Sequence, residues 1–328
     1  MQAKNDKKII RAWAMFDWAN SAYNLVITST IFPAYYVAIT TNANNGNRVN
    51  FFGHSFVNTA LQDYALAIAY MVMVLLLPIL SSIADYRGNK KVFMQFFTLL
   101  GSIACCGLFF FNSSRIEMGI ICFALAAIGY SGGFVFYNSY LPEIATVDMQ
   151  DKVSAKGFTY GYIGSVLLQL ICFAFVLKPE FFGITDKSLP AQISFLLVGI
   201  WWISFAMIPF TVLPKGSPNA QTHQHSIIKG GFIELGKVWV KIKSMPLLKR
   251  YLPAFFFYSM GVQTIMLVAT GFAAKELKME TSALITIILI IQIVAVAGAT
   301  LMSRLSDRYG NVKVLILTVT IWVVVCIA

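Results

Sequence analysis

Asp85-Tyr-Arg-Gly-Asn-Lys-Lys91 and Asp307-Arg-Tyr-Gly-Asn-Val-Lys313 share the pattern D-x-x-G-N-x-K, 222 positions apart. Each copy fills a short gap between two long apolar runs. Gly88 and Gly310 permit the backbone angles that a tight reversal needs. The acid that ends one run (Asp85, Asp307) and the bases around the turn (Arg87, Lys90, Lys91; Arg308, Lys313) are groups that can lock or release contacts. Any hairpin between membrane helices favours glycine and positive charge, so one copy alone is ordinary turn chemistry. Two copies, six apolar runs apart, indicate two homologous six-helix halves.

The runs themselves require lipid as the solvent. The chain has 328 residues, 58% hydrophobic and 12% charged, and its mean hydropathy is +0.72. Soluble domains carry roughly 25% charged residues, so this chain lacks the polar surface to face water. A bilayer crossing takes about 20 apolar residues in a helix. Nine charge-poor runs meet or approach that length: Trp18–Asn47, Tyr64–Ala84, Val92–Ser114, Met118–Pro142, Gly157–Leu177, Ser188–Pro214, Tyr251–Ala274, Thr281–Ser303 and Val314–Ala328. Eight are complete and the ninth stops short. They must be helices, because unpaired backbone groups in hydrocarbon cost several kcal/mol each and no barrel-type alternation is present. The expected fold is therefore an all-α polytopic bundle of about nine membrane helices.

Orientation follows from the basic residues. The N-terminus and every second gap hold 19 of the 25 Lys and Arg, the other gaps 6, which puts the N-terminus in the cytoplasm. Residues 1–214 read as a six-helix bundle, 215–250 as a basic cytoplasmic linker and 251–328 as a partial second bundle. The linker carries an apolar stripe at helical spacing, Ile228, Phe232, Leu235, Trp239 and Ile242, with Lys229, Lys237, Lys241 and Lys243 mostly off it. That pattern is a basic amphipathic helix on a membrane surface, although Gly230, Gly231 and Gly236 weaken it.

At this point the chain resembles the major facilitator superfamily, whose signature turn follows the second and eighth helices. More narrowly it resembles the vacuole-effluxer-like branch. The resemblance rests on Trp13-Ala-Met-Phe-Asp-Trp-Ala-Asn-Ser-Ala22 with Phe32-Pro33, and on Tyr137-Asn-Ser-Tyr-Leu-Pro-Glu-Ile144. Val153-Ser-Ala-Lys-Gly157, Gly161-Tyr-Ile-Gly164 and Gly261-Val-Gln-Thr264 add to it. It implies secondary transport of a small solute, amino acids among the candidates, by alternating access; short loops and the lack of an extramembrane domain suit a bacterial cytoplasmic membrane, with a vacuolar membrane the alternative. It also implies twelve helices, three more than are present, so that either the sequence is a fragment or the native second half is shorter. The same resemblance places the first, fourth and seventh helices around the central cavity.

Polar side chains within the runs are the candidate site, since ionisable groups in a membrane usually face a cavity. Asp17, Asn20, Ser21, Asn24 and Thr28 recur at steps of three and four and are expected to form one stripe. The fourth run offers Tyr137 and Asn138, the seventh Gln263 and Thr264. Asp17, the only acid well inside a run, could take up a coupling proton or pair with a substrate ammonium; a structural hydrogen bond to a neighbouring helix is the alternative. Trp13, Trp201, Trp202, Tyr35 and Tyr36 read as an interfacial belt or lipid-facing surface. Gly157, Gly161 and Gly164 allow close packing of the fifth helix.

Several function classes are set aside. The 5 cysteines and 3 histidines form no metal-ligand spacing. No G-x-x-x-x-G-K-[ST] loop occurs, so the chain does not hydrolyse ATP itself. Its positive charge is scattered between apolar runs, not gathered on a nucleic-acid-binding face. No H-E-x-x-H pair supports an embedded enzyme, and no cofactor is expected. A non-transporting membrane scaffold or sensor is the competing reading. The expected partners are the lipid bilayer, a small solute and protons.

Overall fold

A computed structural model describes residues 4–41, 46–215, 227–275 and 281–327, with side chains except at 87, 227–231, 234, 266–275, 281–286, 288 and 289. Helix dominates. The elements are α1 (Lys7–Thr40), a hairpin β1 (Arg48–Phe51) and β2 (His54–Val57), α2 (Asn58–Arg87), α3 (Lys90–Gly107), α4 (Ile116–Asn138), α5 (Gln150–Leu177) and α6 (Leu189–Val212). Then come α7 (Ile227–Ser244), α8 (Pro246–Lys275), α9 (Thr281–Tyr309) and α10 (Asn311–Ile327). Among the described residues α1 to α6 and α9 are long and apolar enough to cross a bilayer, and α10 is a shorter apolar helix. The chain divides into two compact units, Met1–Phe232 and Ile233–Ala328.

In the first unit α1 lies against α5 and α6, α3 against α4 and α6, and α2 against α4. Glycine sets the closest of these approaches. A Cβ on Gly129 would stand 2.5 Å from the Gly101 Cα, so α4 and α3 meet backbone to backbone there. On its other side Gly101 receives the Trp202 ring, 2.4 Å from where its own Cβ would be. The outward side of α2 exposes Ile68, Met71, Val74 and Leu75, as a lipid-bathed helix should.

The aromatic belt expected from the sequence is corrected here. Trp13, Trp202, Tyr35 and Tyr36 are all buried inside the bundle. The Trp13 indole N–H donates to the Tyr137 carbonyl at 3.0 Å, and Tyr35 OH donates to the Phe111 carbonyl at 2.8 Å. A ring with a polar edge suits an interior where a carbonyl waits for it as well as it suits the headgroup region. Trp201 is half-buried and stacks on Trp18.

Two further features were not in the sequence reading. The gap after α1 holds a hairpin with Phe51 opposite His54. Phe52 (φ 47) and Gly53 (φ 80) form its tip, the pair of positive φ angles a two-residue type I′ turn demands. Also, α1 is not α-helical throughout, since Tyr23–Ile31 is π-helical.

The twin turns behave as their glycines suggest. Gly88 (φ 69) and Gly310 (φ 86) are both left-handed. The Gly88 N–H donates to the Ala84 carbonyl, and the Gly310 N–H donates to the Ser306 carbonyl at 2.9 Å. These acceptors occupy equivalent positions, so the two turns close by the same bond. The helix α7 runs through Gly236. Its Phe232 and Trp239 are exposed, and Lys243 covers the Trp239 ring, 5.5 Å from its centroid. Linker residues 216–226 and the side chains of Ile228, Lys229 and Arg87 lie outside the described residues.

Left-handed geometry costs an L-residue about 1–2 kcal/mol. Gly88→Ala and Gly310→Ala should each lower stability by about that amount, with the asparagine variants milder, as read by thermal unfolding of the detergent-purified protein.

Candidate functional site

Asp17 sits in the α-helical first part of α1, and its position is set by α5. A Cβ on Gly161 would stand 3.1 Å from the Asp17 Cγ and 2.6 Å from the Ser21 Oγ. The missing side chain at Gly161 is what leaves room for the carboxyl. Asp17 is 3% exposed, and the Ser21 hydroxyl donates to its Oδ1 at 2.8 Å. Tyr130, Tyr137 and Tyr162 lie within its electrostatic range. A carboxyl held this way, deep in an apolar bundle with a hydroxyl beside it, can gain or release a proton or accept a hydrogen bond from a cationic group.

The neighbours give the site its walls. The Tyr137 ring is stacked between Trp13, with centroids 4.2 Å apart, and Phe16, at 5.0 Å. Asn20 is fully buried, and neither its carboxamide N nor its O has a hydrogen-bond partner among the described residues. Its Oδ1 and the Thr98 Oγ1 both approach Gly133, 3.9 and 3.6 Å from where a Cβ would be. Asn20 therefore points to the junction of α1, α3 and α4, while Asp17 points to α5.

The single polar stripe expected along α1 does not hold beyond Ser21. The Ser29 Oγ donates to the Asn24 carbonyl at 2.9 Å, and the Thr30 Oγ1 to the Leu25 carbonyl at 2.8 Å. Both acceptors lie five residues back. These hydroxyls support the wider i→i+5 turns of the π tract, and Pro33, which follows it, has no N–H to offer the Ser29 carbonyl. The Thr30 Oγ1 also stands 3.0 Å from the Gln169 side-chain amide on α5. Asn24 is exposed on its unit whereas Asp17 and Asn20 are buried, and it is the second residue of the π tract. Thr28-Ser-Thr30 before Pro33 is the sequence signal that could have shown it.

The remaining expected site residues are exposed on their own units. Asn138 is exposed at the end of α4. In the second unit Gln263 and Thr264 are exposed on α8, with the Thr264 hydroxyl donating to the Met260 carbonyl of its own helix at 2.8 Å. Within the first unit the structure brings together Asp17, Ser21, Gly161 and Tyr137.

At the end of the bundle that carries the N-terminus, Lys90 bridges two acids, Asp85 at 3.2 Å and Glu143 at 2.7 Å. The α2–α3 turn is thereby tied to the segment after α4. Lys91 turns the other way and donates to the Leu213 carbonyl beyond α6 at 2.8 Å. Sequence reasoning missed a strap on the same face. Asn5 Nδ2 donates to the Thr146 Oγ1 at 2.9 Å, the Thr146 N–H donates back to the Asn5 Oδ1 at 3.0 Å, and the Asn5 N–H donates to the Ile144 carbonyl at 2.8 Å. In the second turn Arg308 lies over the Tyr309 ring, the Ser306 hydroxyl donates to the Asn311 Oδ1, and Asp307 and Lys313 are exposed.

Sequence reasoning also passed over one enzyme-type pattern, Gly129-Tyr-Ser-Gly-Gly133, which fits G-x-S-x-G. It lies inside α4, whereas a nucleophile elbow needs a strand-to-helix turn. Its Gly129 and Gly132 serve the contact with α3, facing Gly101 and the Phe97 ring.

Comparison with known proteins agrees with this architecture. The family model described as vacuole effluxer Atg22 like matches residues 5–328. The "uncharacterized MFS-type transporter YxiO" of Bacillus subtilis is 31% identical over 317 residues, covering 96% of this chain and 72% of that protein. Autophagy-related protein 22 of Kluyveromyces lactis is 28% identical, covering 79% of this chain, and autophagy-related protein 22-2 of Aspergillus niger is 24% identical, covering 77%. The matches take in only 56% and 55% of those two fungal proteins. Among solved structures the proton:xylose symporter XylE superposes with a TM-score of 0.62 at 12% identity, over 92% of this chain and 69% of that one. That likeness gives the fold, a major-facilitator helical bundle.

The α1–α5 contact can be tested residue by residue. A Cβ on Gly164 would meet the Trp18 main-chain carbonyl at 2.7 Å, which cannot rotate away, whereas the Ser21 hydroxyl opposite Gly161 can. Overpacking of this kind costs about 1–3 kcal/mol. Gly164→Ala should fall at the upper end and Gly161→Ala at the lower, measured by thermal unfolding of the purified protein.

Proposed function

Since the chain belongs to the vacuole effluxer Atg22-like family of MFS-type transporters, we propose that it moves a small solute across its membrane by alternating access, driven by a proton gradient. It is an integral membrane protein and not an enzyme. The proposed cargo is an amino acid or a similar small zwitterion. The proposed location is a bacterial cytoplasmic membrane with the N-terminus inside, supported by the uneven spread of Lys and Arg.

One observation carries the coupling proposal. Asp17 is buried in the bundle with a side-chain hydroxyl, that of Ser21, donating to it. Intramembrane carboxyls are costly and are used where a proton or cation must be handled. In this reading Asp17 takes the proton, and Asn20, Asn24, Tyr137, Asn138, Gln263 and Thr264 offer hydrogen bonds to polar parts of the solute. Asp85, Arg87, Gly88, Lys90 and Lys91, with Asp307, Arg308, Gly310 and Lys313, act as the cytoplasmic gate. Glu143 joins that gate through Lys90.

The test is uptake into liposomes by the full-length protein, under an imposed pH gradient, with a panel of labelled amino acids. Asp17→Asn should cut gradient-driven flux at least tenfold while insertion and melting stay as in the wild type. Full flux in that variant would remove Asp17 from coupling. No flux of any solute with the wild-type protein would favour a scaffold or sensor.

A further inference from the structure

A groove of about 470 Å³ lies where α1 begins and α6 ends. Lys7, Lys8 and Arg11 line it from the first turns of α1, and Met15, Ile208 and Val212 supply apolar wall from α1 and α6. No acidic residue lines it. The acid nearest in the chain, Asp6, is engaged as the helix cap and accepts from the Lys8 and Ile9 amides. Glu143 and Asp85 are engaged by Lys90. Lys156 on α5 adds to the excess, lying close enough to Arg11 for their charges to repel.

Surface lysines by themselves mean little at a membrane face, where positive charge is the rule on one side. This place differs in shape and in chemistry. Cations stand together at one end, without counter-charge, and a second helix extends the groove with exposed apolar side chains such as Ile208. A free anion would use the cations and leave the wall bare. A water-soluble apolar molecule would use the wall and leave the cations unpaired. A molecule with an anionic head and an acyl tail satisfies both halves, and basic pockets between membrane helices suit such head groups.

We propose that this groove binds one anionic glycerophospholipid from the leaflet that holds the N-terminus, its phosphate among Lys7, Lys8 and Arg11 and an acyl chain along Met15, Ile208 and Val212. The occupant would bridge the start of α1, which carries Asp17 two turns further in, and the last turn of α6. The site stands apart from transport and is tested without it.

Full-length protein is taken from nanodiscs of equimolar phosphatidylglycerol and phosphatidylcholine, and its retained lipid is read by native mass spectrometry. The wild type should retain phosphatidylglycerol over phosphatidylcholine by at least about tenfold, since each of the three cations favours an anionic head group. Lys7→Gln/Lys8→Gln/Arg11→Gln should abolish the preference, and Lys7→Arg/Lys8→Arg/Arg11→Lys should keep it. Ile208→Trp, which fills the groove and leaves every charge in place, should weaken retention several-fold. Equal retention of the two lipids by the wild type would overturn the proposal, as would an undiminished preference in the glutamine variant. Wild-type retention by Ile208→Trp, or displacement of the lipid by inorganic phosphate, would show an anion site without an acyl seat and overturn it equally.

Discussion

The first bundle depends on how near α5 can come to α1. At Gly157, Gly161 and Gly164 the fifth helix presents no side chain, and the space is taken by the Tyr137 hydroxyl and Trp13 ring, by Ser21 and Asp17, and by the Trp18 carbonyl. Lipid tails are as apolar as leucine, so membrane helices gain little by hiding oil from oil and associate through packing and polar contacts instead. Glycine supplies the packing here, and the Thr30 hydroxyl with the Gln169 side-chain amide supplies a polar contact between the two helices. The same device recurs where Gly101 and Gly129 bring α3 and α4 together. Bulky side chains in these rows would move the helices apart and leave the carboxyl with a different environment.

That dependence makes structure and chemistry hard to separate in α1. Its N-terminal half, from Trp13 to Asn20, holds a carboxyl, an amide without a partner among the described residues and two large indoles. Trp13 secures α4 through the Tyr137 carbonyl. Trp18 meets α6 through its carbonyl, which accepts the Trp201 indole N–H at 3.3 Å. Asp17 lies between two such anchors, so the group proposed to move protons is fixed on both sides by groups that hold helices. At the N-terminal face the division is cleaner. There Lys90, Lys91 and the Asn5–Thr146 pair link turns and loops without entering the apolar interior.

The architecture was legible in the sequence because the bilayer enforces it. Hydropathy fixed the runs, and the D-x-x-G-N-x-K copies pointed to both left-handed glycines before any backbone angle was known. The site was legible only in part. Asp17 stood out because a lone acid in an apolar run has few reasons to be there. The line from Asp17 to Asn24 did not hold because its members meet different surroundings, Asp17 against Gly161, Asn20 against Gly133, and Asn24 exposed on its unit. The aromatic assignments failed for a related reason. In a chain with 27 phenylalanines and 6 tryptophans, rings recur along the helices of the first bundle, and a glycine on another helix can decide which of them is interior. Trp202 is inside because residue 101 is glycine, and those positions are a hundred apart.

The π tract of α1 has a consequence of its own. Bonds that reach five residues back hold more chain per unit of rise than bonds that reach four. Removing one residue from an ordinary membrane helix turns everything beyond it by about 100°, which would exchange its inside and outside. Tyr23–Ile31 contains surplus chain that can tighten to absorb such a loss. It is the one stretch of the first crossing where length can change while Phe32 and Tyr36 keep facing their partners. Relatives that differ by a deletion in this crossing would tolerate it here and nowhere else along the helix.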